Sequence, residues 1–283
     1  MPLPSRRELL VNAFAGALLF EGGLDLRANP LGLPIGCQTY PVRRLIAEDF
    51  PGTVKQLASI GFQRIELCSP KGYAKAGFAV VGQYKGRQLK RMLSDVNLEC
   101  HSSHFSIQEL RSDLSASIAW AKDIGLTQMM VPSLDGPQKP SMDDVKQAAG
   151  EFNKMAEQTA EAGITLGLHN EGFEVSKVDG RRTYDVLLEL LDPKFVKFQF
   201  QCSTISDGFV AADYFTKYPG RFISMHVQDW SPATRTEVAV GQGSIDWKKT
   251  FTAAKVGGLR NYFVEMDLEL MKASVPYLRS LKV

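Results

Sequence analysis

Short apolar runs rich in strand-forming residues alternate along the chain with longer amphipathic stretches. Glycine closes several amphipathic stretches just before the next apolar run, as at Gly61, Gly125, Gly163 and Gly257. Glycine beyond a helix end takes the left-handed conformation easily and lets the chain reverse. The pattern predicts strands at 33–40, 63–69, 98–104, 128–134, 164–170, 196–202, 222–229 and 261–267. It predicts helices at 53–59, 86–94, 107–123, 142–162, 184–191, 209–217, 247–255 and 268–281.

Eight strand–helix pairs within 283 residues favour one α/β domain, a single (β/α)8 barrel (TIM barrel) covering 31–283. A doubly wound sheet is the alternative, but no Gly-x-Gly-x-x-Gly motif follows the first strand. The longest predicted loops all follow strands, and therefore lie on the face where barrel enzymes carry their active sites.

The first 30 residues have a different composition from the rest. Arg6 and Arg7 precede an apolar stretch from Val11 to Phe20, which is too short to span a bilayer. This arrangement is similar to a twin-arginine export signal. It predicts a leader over 1–30 and a periplasmic, exported protein in a bacterium; without export the protein would be cytoplasmic. The alternative is an amphipathic helix that packs on the barrel.

Composition limits the remaining possibilities. The chain is 44% hydrophobic and 23% charged with a net charge of +2, which is typical of a globular protein with a large core. We expect no nucleic-acid partner, since no basic face is evident, and no stable membrane span. The four cysteines form no Cys-x-x-Cys pair and are expected to be buried free thiols. A homo-oligomer remains compatible with the sequence.

Polar side chains with metal-binding capacity cluster where the predicted strands end. The carboxyl ends of parallel barrel strands meet on one face, so these groups should converge on a single site. Side-chain alternation lets His169 and Glu171 point the same way, and likewise Glu265 and Asp267. Imidazole and carboxylate ligands suit Mn²⁺, Co²⁺, Mg²⁺ or Zn²⁺. Four further residues are predicted to bind substrate: Gln38, Glu66, Asp229 and Trp230, the last as a sugar platform or as rim packing.

Several motifs, taken in order, resemble the xylose isomerase-like TIM-barrel superfamily, also called the sugar phosphate isomerase/epimerase family. They are Ile35-Gly36-Cys37-Gln38-Thr39-Tyr40, Ile65-Glu66-Leu67, Ser102-Ser103-His104-Phe105, Gly167-Leu168-His169-Asn170-Glu171, Met225-His226-Val227-Gln228-Asp229 and Tyr262-Phe263-Val264-Glu265. The resemblance implies one divalent metal ion held by groups from the fifth to eighth strands.

Carried over by position, the fifth-strand ligand falls on His169 or Glu171. The other ligands are Gln201, His226 and Glu265. Relatives usually have aspartate where this chain has Gln201. A neutral amide binds a divalent ion more weakly than a carboxylate. With Gln201 at this position we therefore expect weaker metal binding. We hypothesise that Glu171 supplies the negative charge that the amide lacks.

The resemblance implies chemistry on a small carbohydrate by proton abstraction beside a carbonyl group. Glu171 or Glu265 would act as base, and His104 or the other carboxylate would return the proton. The outcome would be isomerisation, epimerisation or β-elimination of a 3-keto-glycoside. The alternative is a sugar-binding barrel that has lost catalysis, motivated by Gln201. A DNA-repair endonuclease of the same superfamily is disfavoured by the net charge of +2 and the four histidines.

Overall fold

The computed structural model describes residues 29–283, in which eight parallel strands close into a barrel. Each strand pairs with its sequence neighbours in the barrel, and the first pairs with the last. The strands are β1 Gly36–Gln38, β2 Arg64–Cys68, β3 Glu99–His104, β4 Gln128–Val131, β5 Thr165–Leu168, β6 Val196–Gln201, β7 Phe222–Val227 and β8 Asn261–Val264. The predicted TIM barrel is confirmed. The predicted leader over 1–30 lies almost wholly outside the described residues.

Helices surround the barrel in the predicted order. They are α1 Arg43–Glu48, α2 Phe50–Ile60, α3 Gly86–Ser94, α4 Ile107–Ile124, α5 Met142–Glu161, α6 Thr183–Leu190, α7 Ala211–Lys217, α8 Trp247–Gly257 and α9 Leu268–Ser280. The short helix α1 was not predicted. Asp49 separates it from α2, because its carboxylate accepts a hydrogen bond from the Gly52 amide and starts the second helix. Between residues 29 and 283, no helix is long and apolar enough to cross a membrane.

Most barrel strands are shorter than the apolar runs that predicted them. Strand β8 ends at Val264, so the alternation that would place Glu265 and Asp267 on one side does not continue. Asp267 instead accepts hydrogen bonds from the amides of Glu269 and Leu270 and caps α9. The prediction that Asp267 points inward with Glu265 is therefore wrong.

Two loops on the carboxyl-terminal face contain small antiparallel hairpins. One pairs Lys177–Val178 with Arg181–Arg182, and the other pairs Asp229–Ser231 with Thr236–Val238. The first lies inside a stretch that the sequence predicted as a loop, and the second begins at Asp229, the last residue of a predicted strand, and continues into the predicted loop. Their strands of two or three residues are too short for hydrophobic periodicity to reveal.

Polar side chains occupy much of the barrel interior and pair with one another across it. At the amino-terminal end the Asn261 amide nitrogen donates to Gln128 Oε1 at 3.0 Å, and Arg64 Nη1 lies 2.5 Å from Asn261 Oδ1. Above them Gly36 faces the ring of Phe263, where an added Cβ would lie 2.5 Å from the ring. The apolar core therefore lies mainly between the strands and the helices, and the inside of the barrel carries polar layers up to the site.

Candidate active site

Four polar residues converge at the carboxyl-terminal end of the second half of the barrel. His169 follows β5, Gln201 ends β6, His226 lies in β7 and Glu265 follows β8. None is more than 8% exposed. Glu265 Oε2 accepts from Gln201 Nε2 at 2.6 Å and contacts His226 Nδ1 at 2.9 Å. Ligand atoms of the two histidines and Glu265 lie within 4.8 Å of one another.

Two buried atoms in this cluster have no hydrogen-bond partner in the described chain: His169 Nε2 and Gln201 Oε1. A buried polar atom without a partner is destabilising by about 1–3 kcal/mol, so each such atom needs an explanation. A neutral imidazole nitrogen and an amide oxygen both carry lone pairs suited to a divalent cation. Together with the Glu265 carboxylate and His226, these atoms fit a metal ion of the predicted kind.

Glu171 lies at the mouth of this cluster. Its side chain is 45% exposed, and its Oε1 lies 3.6 Å from His169 Nε2. Burial raises the pKa of Glu171, but the contact with His169 outweighs this effect and lowers the pKa to about 2. The pKa of Glu265 is likewise lowered, because the attraction of His226 outweighs the effect of burial. Both carboxylates are therefore ionised at neutral pH.

A second polar layer lies directly beneath, inside the barrel. Glu66 is fully buried; its Oε2 lies 2.7 Å from His226 Nε2 and 3.3 Å from His104 Nε2. Gln199 joins the layer: its Oε1 lies 2.8 Å from His104 Nε2, and its amide nitrogen donates to Glu66 Oε1 at 2.9 Å. Ser102 Oγ also donates to Glu66 Oε1, at 2.5 Å. Glu66 thus contacts histidines, an amide and a hydroxyl within the barrel and does not face the mouth.

Gln199 and Ser102 were missed by the sequence analysis. The available signal for Gln199 was its position two residues before Gln201 on β6, since alternate side chains on a strand share a face. Ser102 lies two residues before His104 on β3 and is identifiable by the same rule. In the sequence alone, Gln199 and Ser102 are typical of ordinary strand residues. Their role becomes evident only from their contacts with Glu66.

The other predicted substrate residues do not join the cluster. Gln38 is buried beside Cys68, and its Oε1 accepts the amide of Tyr40. The carboxylate of Asp229 is buried among donors of its own loop: the amides of Trp230, Gly241, Gly243 and Ile245, and the Trp247 indole. The half-buried side chain of Trp230 belongs to the hairpin after β7. Its predicted role as a sugar platform stays a prediction.

The opposite end of the barrel carries none of the predicted chemistry. A groove of about 250 Å³ lies there and is lined largely by Leu89, Leu93, Leu98, Cys100 and Ile124. His101 lines it too; this side chain is 39% exposed and contacts Glu99 Oε2 at 3.1 Å. The groove and His101 are therefore separate from the cluster formed by the other three histidines.

Several solved structures share the fold of this chain. A sugar phosphate isomerase/epimerase from Parabacteroides distasonis ATCC 8503 superposes with a TM-score of 0.74 at 22% identity, covering 88% of this chain and 96% of that one. An IolI protein with a bound zinc atom gives a TM-score of 0.66 at 12% identity, covering 88% and 95%. D-psicose 3-epimerase from Clostridium cellulolyticum H10, solved with D-tagatose, gives 0.64 at 11% identity, covering 88% and 99%.

These structural similarities show the fold, while no curated protein sequence matches the chain significantly. A family model adds the evidence from sequence. The model described as xylose isomerase-like TIM barrel matches residues 54–280, which include every residue of the polar cluster. The chain therefore belongs to the xylose isomerase-like TIM-barrel family.

Proposed function

We propose that the protein is a divalent-metal-dependent enzyme that abstracts a proton beside the carbonyl group of a sugar. The observation that carries the proposal is the pair of partnerless buried atoms, His169 Nε2 and Gln201 Oε1, next to Glu265 and His226. The zinc in the IolI protein and the epimerase activity named for the Clostridium protein support it. The product would be an isomer or epimer, or an elimination product of a 3-keto-glycoside.

Metal ligands would be His169, Gln201, His226 and Glu265, one from each strand of the second half of the barrel. A bound divalent cation would act as a Lewis acid toward a sugar carbonyl and its neighbouring hydroxyl. Glu265 serves best as a ligand, since its Oε2 already contacts both Gln201 and His226. Between the two predicted bases, this leaves the proton-abstracting role to Glu171.

Glu171 suits that role because its carboxylate is ionised and is the most exposed of the group. It would remove the proton from the carbon next to the carbonyl, which produces an enediolate. His104 would return a proton. Both contacts of His104 use Nε2, which leaves Nδ1 for a substrate oxygen. Burial lowers the pKa of His104, but the attraction of Glu66 outweighs burial and raises the pKa above its ordinary value.

The test compares two isosteric variants, Glu171→Gln and Glu265→Gln, with Glu157→Gln on the exposed face of α5 as control. The metal-stripped protein is assayed on keto-sugars and 3-keto-glycosides with and without Mn²⁺ or Co²⁺. We expect Glu171→Gln to bind metal normally but to lose about 10²–10⁴ in rate, as for removal of a general base. Glu265→Gln should lose metal binding and activity together. Equal rates without metal, or an unchanged rate in Glu265→Gln, would refute the mechanism.

A non-catalytic sugar-binding barrel is the second candidate. Gln201 favours it, because this amide donates to Glu265 and so occupies the carboxylate that a metal ion would need. In that case calorimetry detects sugar binding without any product by mass spectrometry, at every metal concentration. Product formation from any of the tested sugars would decide for the enzyme.

A further inference from the structure

His226 is held from both sides by carboxylates. Its Nδ1 lies 2.9 Å from Glu265 Oε2 at the site, and its Nε2 lies 2.7 Å from Glu66 Oε2 below. The ring and the Glu66 side chain are both completely buried. The two nitrogens of His226 therefore face two different environments, one toward the candidate metal ligands and the other toward the barrel interior.

Two overlapping groups of side chains have the spacing of a metal site. The upper group is His169, His226 and Glu265, and the lower group is Glu66, His104 and His226. They share the ring of His226. These distances alone do not distinguish two roles for the lower group. It could bind a second metal ion, or it could orient the ligands of the upper group.

Hydrogen bonding separates the two groups. In the lower group Glu66 Oε1 accepts from Ser102 and Gln199, and Glu66 Oε2 contacts both histidines. No fully buried side-chain nitrogen or oxygen atom of this group is left without a partner in the described chain, and His104 Nδ1 is the atom that makes no contact within the group. In the upper group His169 Nε2 has no partner, and neither has the adjacent Gln201 Oε1. The buried atoms of the lower group thus satisfy one another by hydrogen bonding, whereas the upper site leaves buried atoms free to bind a cation.

We infer that Glu66 is a positioning residue: it binds His226 Nε2–H and thereby fixes the ring with Nδ1 toward the metal ligands. A carboxylate behind a ligating histidine fixes its tautomer and orientation and makes it a stronger ligand. Gln199 and Ser102 in turn hold the Glu66 carboxylate in place. This assignment replaces the predicted role of Glu66 in substrate binding, and it rests on the proposed metal site.

The position of Glu66 also affects the total charge around the candidate metal ligands. The candidate ligand that ends β6 is Gln201, a neutral amide. Glu66 supplies negative charge to the same site through His226, from a fully buried position. Interactions between charged groups are strongest where water is excluded. The network beneath the site therefore offsets part of the charge that Gln201 lacks.

The experiment measures two properties of Glu66→Gln beside Glu99→Gln, an exposed control on β3. The first is Mn²⁺ and Co²⁺ affinity by calorimetry on metal-stripped protein. The second is the ¹⁵N chemical shift of His226 in the metal-free protein, which reports the state of each ring nitrogen. We expect Glu66→Gln to weaken metal binding about 10–100-fold and to change the Nε2 shift, with neither effect in Glu99→Gln. Glu66→Asp, which keeps the charge, should recover part of both.

Each other outcome has a defined meaning. Unchanged affinity and an unchanged His226 shift in Glu66→Gln overturn the inference. Two metal ions per chain, one of them lost in His104→Ala, also overturn it in favour of a second cation site. If wild-type protein binds no metal, the proposed function fails, and the His226 shift alone decides whether Glu66 fixes the ring. Should Glu66→Gln fail to fold, the same two measurements on Glu66→Asp decide, with unchanged values counting against the inference.

Discussion

Gln201 stands where the family resemblance implies an aspartate ligand. Its backbone amide donates to Asn170 Oδ1 at 2.6 Å, and its side-chain nitrogen donates to Glu265 Oε2. The amide oxygen is left buried without a partner. The Gln201 amide thus occupies Oε2 of the ionised Glu265 carboxylate by hydrogen bonding. A bound cation would compete with this hydrogen bond for Glu265 Oε2.

Gln201→Asp should strengthen divalent-metal binding. The change adds a negative charge to the ligand set and removes the donor that occupies Glu265, and both effects favour a cation. We expect the Kd for Mn²⁺ to fall about tenfold or more, equivalent to at least about 1.4 kcal/mol. Calorimetry on metal-stripped protein measures it, with Gln201→Asn as the uncharged control of the same length as aspartate. Equal affinities in the two variants would show that position 201 does not contact the metal.

At the level of single residues, position along a strand predicted whether a side chain points into the barrel. It did not predict how far along the barrel axis that side chain lies. His169, Gln201, His226 and Glu265 were predicted to converge and lie together in the structure. Glu66 was also expected to face inward, but its depth beneath His226 depends on the stagger between strands. That stagger includes an irregularity between Arg64 and Glu66. The alternation of side chains along one strand does not report the stagger between neighbouring strands.

Among the structural elements, the loop after β7 depends on one buried carboxylate. Asp229 Oδ2 accepts from the amides of Gly241 and Gly243 and from the Trp247 indole, and Oδ1 accepts from the amides of Trp230 and Ile245. These contacts join the hairpin 229–238 to the start of α8. Asp229 was predicted to bind substrate, whereas its observed contacts organise the loop.

Asp229→Asn should destabilise the fold without changing its shape. The new amide nitrogen would face donors where an oxygen now accepts, so the variant loses hydrogen bonds to a buried charged acceptor. We expect the free energy of unfolding to fall by about 2–4 kcal/mol, measured by urea titration. Asp246→Asn at the start of α8 is the matched control, because asparagine and aspartate cap helices about equally well. A loss below about 0.5 kcal/mol would contradict the structural role.

The loop after β5 carries a second buried carboxyl group. Glu174 Oε1 accepts the Leu134 amide at 2.8 Å, and Oε2 has no partner in the described chain. The backbone amide of Glu174 donates to the Glu171 carbonyl, and its side chain binds the Leu134 amide. Glu174 therefore links the segment that bears Glu171 to the loop after β4. Burial raises the pKa of Glu174 to about 8. The group is therefore protonated and neutral in the folded protein at pH 7.

Glu174→Gln should flatten the pH dependence of stability. A carboxyl group whose pKa is higher in the folded state than in the unfolded state stabilises the fold most below the unfolded value of about 4.5. That stabilisation is lost as the pH rises through the folded value of about 8. We expect wild-type stability to fall by about 4 kcal/mol between pH 5 and pH 9 from this group. Urea unfolding at both pH values measures the slope, and the same slope in Glu174→Gln would refute the assignment.

At the scale of the whole molecule, repetition made the fold predictable. Each glycine after a helix, such as Gly61 and Gly125 with their left-handed backbones, marks the return to a parallel strand. Eight strand–helix pairs in this length predicted a closed barrel, and the structure closes by pairing β1 with β8. The polar network inside the barrel was not predictable, because it joins residues more than 100 positions apart, such as Glu66 and His226.

The candidate metal site joins four strands of the barrel, so occupying it should stabilise the entire fold. A cation that binds only the folded state at about 100 times its Kd adds about 2.7 kcal/mol. For a domain of this size the gain raises the Tm by roughly 5 °C. We expect this shift with Mn²⁺ or Co²⁺, followed by differential scanning calorimetry, and no shift in Glu265→Gln.

The same shift should depend on pH in a defined direction. Burial lowers the pKa of His226, but Glu265 and Glu66 outweigh burial and raise it to about 10. The metal-free ring therefore holds an extra proton at neutral pH, and a cation must displace it to reach Nδ1. Metal stabilisation should be larger at pH 8 than at pH 6, because fewer protons compete at higher pH. An equal shift at the two pH values, or the same shift in Glu265→Gln, would place the bound cation elsewhere on the protein.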